Sequence, residues 1–161
     1  MNISFWENKD KKILKSDLFS EQAKTIADEV FSEKDNRKNN PTQLRKFYDE
    51  VLRFSSIMKT LPAEQQTEEF NKMLPYLMML NSKAAYAEAR DLVSRKFKEF
   101  INKSLLQIKT KDDFEAFSGL FEAFMGFYKY NVEVVKTPPQ QQRQQNTQTQ
   151  NRSHQGQGYR R

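Results

Sequence analysis

Apolar side chains recur along this chain at intervals of three and four residues, and polar runs bound each recurrence. The clearest case lies late in the chain, where Phe114, Phe117, Phe121, Phe124 and Tyr128 alternate spacings of three and four. That pattern puts five rings on one stripe of a helix. Thr110 precedes the stripe with Asp113 three positions on, the arrangement in which two residues satisfy each other's backbone donors at a helix start. Lys129 and Lys136, near the other end, suit the negative pole of the helix dipole.

The same reading predicts further helices upstream. One runs from about Ser20 to Glu33, with Phe19, Ala23, Ile26, Ala27 and Val30 on its apolar side and EKDNRKNN closing it. Its start is open, since Lys11 to Leu18 could be an extra turn. A second starts sharply, because Asn40 can cap, Pro41 suits the first helical position and Gln43 stands where a capping box needs it. Leu44, Phe47, Val51, Phe54 and Met58 then share one face. A third begins near Ala63 and carries Phe70, Met73, Leu74, Leu77 and Leu80, with Pro75 removing one backbone bond and bending it. Small residues at Ala84, Ala85 and Ala89 would allow a close neighbour. Leu92, Val93, Phe97, Ile101, Leu105 and Ile108 form a fourth stretch, and periodicity does not decide whether it is separate from the third. The expectation is all-α: a compact bundle of about five or six helices forming one domain over residues 1–136.

Periodicity stops at Pro138 and Pro139. The segment TPPQQQRQQNTQTQNRSHQGQGYRR, residues 137–161, has no aliphatic side chain, and all 13 phenylalanines lie upstream of it. It cannot bury enough surface to offset chain entropy and is expected to be a disordered tail.

Composition adds limits. With only four Gly and five Pro in 161 residues, the chain lacks the punctuation that sheets require. It has no cysteine, which excludes disulfides and thiolate metal sites and suits a reducing, cytoplasmic setting. No apolar run approaches the length of a membrane span, and MNISFWENKDKKILK does not read as a secretion signal. The net charge is +6. The tail holds four arginines and no acid, so residues 1–136 carry 23 cations against 21 acids, a net +2. A polyanionic partner suits that balance.

Catalytic chemistry is hard to assemble from these residues. The one histidine, His154, lies in the tail. Asp112 and Asp113 are adjacent in a first helical turn, where carboxylates diverge and serve the helix dipole more often than a metal. No phosphate-binding glycine loop, zinc motif or calcium loop is present. No catalytic residue, metal or cofactor is expected.

The residues with a functional claim are basic. Arg45, Lys46 and Arg53 fall on the second helix, with Arg45 and Arg53 eight apart and expected close to one face, and Arg90 follows Tyr86 by one helical turn in AAYAEAR, ahead of Arg95 and Lys96 in VSRKFKEF. These cations could follow a phosphate backbone. Equally, Asp49 and Glu50 are placed to neutralise the arginines on the second helix, which would make that face ordinary solvated surface. Tyr86 reads either as a core ring or as a stacking surface.

Three segments in order, QLRKFYDEV, YLMMLNSKAAYAEAR and FEAFSGLFEAFMGFYKY, resemble the small helical subunit of the Csm-type, type III-A CRISPR effector complex. The resemblance rests on Thr42, Leu44 and Arg45, on Tyr86, Ala87 and Arg90, and on Phe121, Glu122, Ala123, Phe127, Tyr128 and Lys129. Ala89 stands where that family often has glycine, and the glutamine-rich tail is not a family feature. The resemblance implies a non-catalytic antiviral protein that packs in several copies beside the backbone subunits. Its partners would be the guide CRISPR RNA, the target RNA, the backbone and large subunits and copies of itself. Its RNA-binding residues would come from Arg45, Lys46, Arg53, Arg90, Arg95 and Lys96. A stand-alone helical nucleic-acid-binding protein and a purely structural adaptor remain the alternatives. Salt-sensitive RNA affinity separates the adaptor from the other two.

Overall fold

The computed structural model describes residues 1–136, so the segment expected to be a disordered tail lies outside the described residues. Six α-helices follow one another: α1 (Ala23–Ser32), α2 (Pro41–Thr60), α3 (Ala63–Met78), α4 (Leu80–Ala89), α5 (Arg95–Leu105) and α6 (Lys111–Lys136). Among the described residues no helix is long and apolar enough to cross a membrane.

Helix α6 is the spine. Its stripe of Phe114, Phe117, Phe121, Phe124 and Tyr128 is buried throughout and meets a second aromatic row on α5. Phe100 sits 4.8 Å from Phe124 and 5.2 Å, edge-on, from Phe121. Phe97 reaches Phe47 of α2 at 5.1 Å, also edge-on. Rings fill this core because each buries a large apolar area, and offset or edge contacts add to that burial.

Helix starts follow the side-chain chemistry. The Asn40 carboxamide accepts from Thr42 N at 2.9 Å, while Gln43 accepts from Lys46 Nζ at 3.4 Å. At α6 the reciprocal cap forms: Thr110 N donates to Asp113 Oδ2 at 2.9 Å, and Asp113 N donates to Thr110 Oγ1 at 3.3 Å. The third and fourth apolar stretches are separate helices, parted by Arg90 to Ser94, where Asp91 takes φ +56°. Ser94 then caps α5 by accepting from Phe97 N. Pro75 lies within α3, which ends at Met78, three residues beyond it, and α4 starts at Leu80.

The start of the chain departs from the expectation of helices alone. A two-stranded antiparallel hairpin, β1 (Trp6–Asn8) with β2 (Ile13–Leu14), covers the beginning of α6. A single wide π-helical turn at Leu18–Gln22 leads into α1, which begins at Ala23 instead of Ser20. Phe19 consequently leaves the core face and is 44% exposed, its ring lying against Gly119, where an added Cβ would stand 2.9 Å from it. Ile3 and Phe5 are buried between two glutamine amides: Gln22 exchanges hydrogen bonds with the Ser4 backbone, and Gln107 accepts from Phe5 N and donates to Ile3 O.

Asp113 ties the hairpin to α6. Its carboxylate accepts from Trp6 Nε1 at 2.7 Å, Lys9 Nζ at 3.0 Å and Lys109 N at 3.0 Å as well as from Thr110. Burial alone would raise its pKa, but these donors outweigh it and hold the group at about 2, below the ordinary 3.8. A depressed carboxylate stabilises the fold above its ordinary pKa and loses that contribution as pH falls through the folded value. Thermal unfolding should therefore show a steep loss of stability as pH falls from about 4 to 2, and the loss should flatten in Asp113→Asn.

Asn39 is the other buried polar junction. It takes φ +58°, a left-handed conformation that asparagine tolerates better than most residues. Its side chain donates to Val30 O and accepts from Ser94 N, while its backbone N–H donates to Leu92 O and its carbonyl accepts from Tyr128 Oη at 2.6 Å. The ends of α1 and α4 and the middle of α6 meet here. Asn39→Ala should cost roughly 2–4 kcal/mol in chemical denaturation, from two orphaned buried groups plus backbone strain. Asn39→Gly should recover the strain part only.

Candidate nucleic-acid interface

Helix geometry divides the basic residues of α2. Lys46 and Arg53 are seven apart and project within about 20° of each other, whereas Arg45 lies about 80° from Arg53. Lys46 and Arg53 therefore share one outer strip, with Glu50 between them. Arg53 donates to Glu50 at 3.1 Å, and Lys83 reaches across from α4 to the same carboxylate at 3.1 Å. The Arg53 hydrogen bond is the main cause that holds Glu50 below the usual carboxylate range, with Lys83 adding to it. Arg53 and Lys83 share the Glu50 carboxylate, while Lys46 bonds to Gln43 at 3.4 Å and Asp49 lies about 40° from Arg53 on the same side of the helix. Lys83 was not among the candidates from sequence, although its place seven residues before Arg90 marks a shared face of α4.

Arg45 turns the other way. It pairs with Asp49 at 2.6 Å, lies over the Tyr48 ring at 5.4 Å and borders a groove of about 660 Å³ between α2 and α6. Thr42, Glu122, Gly126 and Lys129 also line that groove. Two of the three segments that carry the family resemblance thus meet there, although they are distant in sequence.

Arg90 ends α4. Its guanidinium carbon lies 5.6 Å from the Tyr86 ring centre, and Nη1 donates to the Tyr86 hydroxyl at 3.3 Å. Tyr86 is 64% exposed, so it is a surface ring and not a core residue. Ala84 and Ala87 make the buried contacts of α4, while Ala85 and Ala89 are exposed. Arg37, from the α1–α2 loop, donates to the Arg90 carbonyl at 3.4 Å. Sequence reasoning read Arg37 only as part of a polar run.

Arg95 and Lys96 open α5. Arg95 pairs with Glu99 at 3.3 Å, and Lys96 pairs with Glu29 of α1 at 3.2 Å. The hydrogen bond to Glu29 is the largest cause that raises the Lys96 pKa. The two lysine and arginine ends are thereby tied to local acids. The six candidates do not form one patch. They divide among the α2 strip, the α2/α6 groove, the end of α4 and the start of α5.

The arrangement suits contact with phosphates, since it presents cations on exposed helix faces. Among the described residues no group of three or more His, Cys, Asp or Glu side chains is placed to hold a metal ion.

The fold is that of a small all-helical protein with an aromatic core and basic outer strips. A family model described as Csm2 Type III-A matches residues 15–133, from the lead-in to α1 almost to the end of α6. The chain belongs to the Csm2 family of type III-A, which makes it a small subunit of a type III-A CRISPR effector. No curated protein and no solved structure matches it significantly.

Proposed function

We propose that this chain takes no catalytic part in its effector. In this reading several copies stack beside the backbone subunits and help hold the duplex of guide and target RNA during antiviral defence in the cytoplasm. The observation that supports RNA contact is the α2 strip, where exposed Lys46 and Arg53 share one face and Arg53 and Lys83 converge on a single carboxylate, Glu50. A duplex of any sequence is held through its phosphates, which require cations without base readout. A net +2 on residues 1–136 is sufficient when copies align their basic strips. Arg90 extends the proposed contact, while Arg45 lies on the α2/α6 groove beside the strip and Arg95 and Lys96 are tied to Glu99 and Glu29.

The test uses the reconstituted effector. Lys46, Arg53 and Arg90 changed to alanine should weaken target RNA by a similar factor for every sequence and flatten the salt dependence, by about one log-log unit per lost phosphate contact. A pure protein adaptor would show no such change in slope.

A further inference from the structure

We infer that Tyr86, Arg90 and Arg37 form a site for an unpaired nucleotide of a single RNA strand at the α4 end of the RNA-facing surface. The inference rests on the chain being RNA-facing and specifies what this end of the surface takes.

Tyr86 projects from the last turns of α4 with 64% of its surface open, so its ring adds little to the core. The Arg90 contact at the hydroxyl steadies the side chain. Arg37 brings a second guanidinium to the same helix end through its bond to the Arg90 carbonyl. Charge pairing distinguishes these two arginines from the other arginines among the described residues. Arg45, Arg53 and Arg95 each bind an acid three or four residues away in the same helix. Arg37 and Arg90 bind a carbonyl and a phenol, and among the described residues neither has a carboxylate within ion-pair distance. The nearby acid, Asp91, is taken by Lys38 at 3.2 Å. One exposed ring with Arg90 at 5.6 Å from its centre thus stands at the helix end to which Arg37 is also tied.

That combination matches a single strand. A base offers its π-face to the tyrosine, and the guanidinia take adjoining phosphates. In a duplex the bases are already stacked on one another, and a ring on a helix surface reaches only their edges or the backbone. The ring is thus the part of the site that selects for unpaired RNA, and the arginines alone would bind either form.

The experiment uses the full chain at low salt with two probes: a single-stranded RNA carrying one 2-aminopurine, and the same strand annealed to its complement. Tyr86→Ala should weaken the single strand roughly tenfold and the duplex by less than about twofold, while Tyr86→Phe should stay close to wild type on both. Arg37→Gln should weaken the single strand and lower its log-log salt slope by about one. Circular dichroism confirms that each variant folds. Equal losses on the two probes in Tyr86→Ala, or no loss on either, overturn the inference and leave the RNA-facing reading intact. A wild-type chain that binds the duplex but not the single strand does the same. A chain that binds neither probe overturns the inference alone, since the RNA-facing reading rests on aligned copies in the effector.

Discussion

Truncating Phe124 to alanine is expected to destabilise the protein by roughly 3–5 kcal/mol. The ring is wholly buried and has aromatic neighbours on two helices: Phe97 and Phe100 at 6.1 and 4.8 Å, Phe121 and Tyr128 at 5.7 Å each. These neighbours are themselves large and buried, and they belong to helices fixed by other contacts. They cannot collapse into the void, which places the cost at the upper end of what transfer from water alone would give. Phe121, equally buried and in contact with Tyr48 at 5.5 Å, should behave alike. Phe127 lies three residues on but is only half-buried at the edge of the core, and its truncation should cost clearly less. Guanidinium unfolding of the three variants measures the contrast. An unchanged midpoint for Phe124→Ala would mean that the stripe serves a partner and not the fold.

That stripe was legible because it depends on spacing alone. The reciprocal cap of Thr110 and Asp113 was legible for the same reason, since three residues fix it. The hairpin was not. Its strands are three and two residues long, and it is held by Gln107 and Asp113, about a hundred positions away. No local pattern announces such partners, although Ile3 and Phe5 do alternate with polar residues. Phe19 was misplaced because the wide π-turn shifts the register ahead of α1. At the surface, pairing of Arg45 with Asp49 and of Arg53 with Glu50 follows from helical spacing and was visible beforehand. Lys83 meets Glu50 across 33 positions, so its addition to the α2 strip needed the folded arrangement. The exposure of Tyr86 needed it too, because one aromatic residue in an alanine-rich helix has no periodic partner that would show which way it points.

The central claim is that this subunit contributes charge to RNA binding within the effector and no chemistry. Charge reversal is the largest perturbation of that role, since Lys46→Glu, Arg53→Glu and Arg90→Glu together remove three attractions and add three repulsions at exposed positions. Folding should survive, as all three side chains are exposed. The measurement is the low-salt affinity of the reconstituted effector for target RNA, with this triple variant against wild type and with incorporation of the variant verified in each preparation. The expected result is a loss on the order of a hundredfold that shrinks as salt rises, with cleavage of saturating target retained. Undiminished affinity in a fully assembled effector would contradict the account.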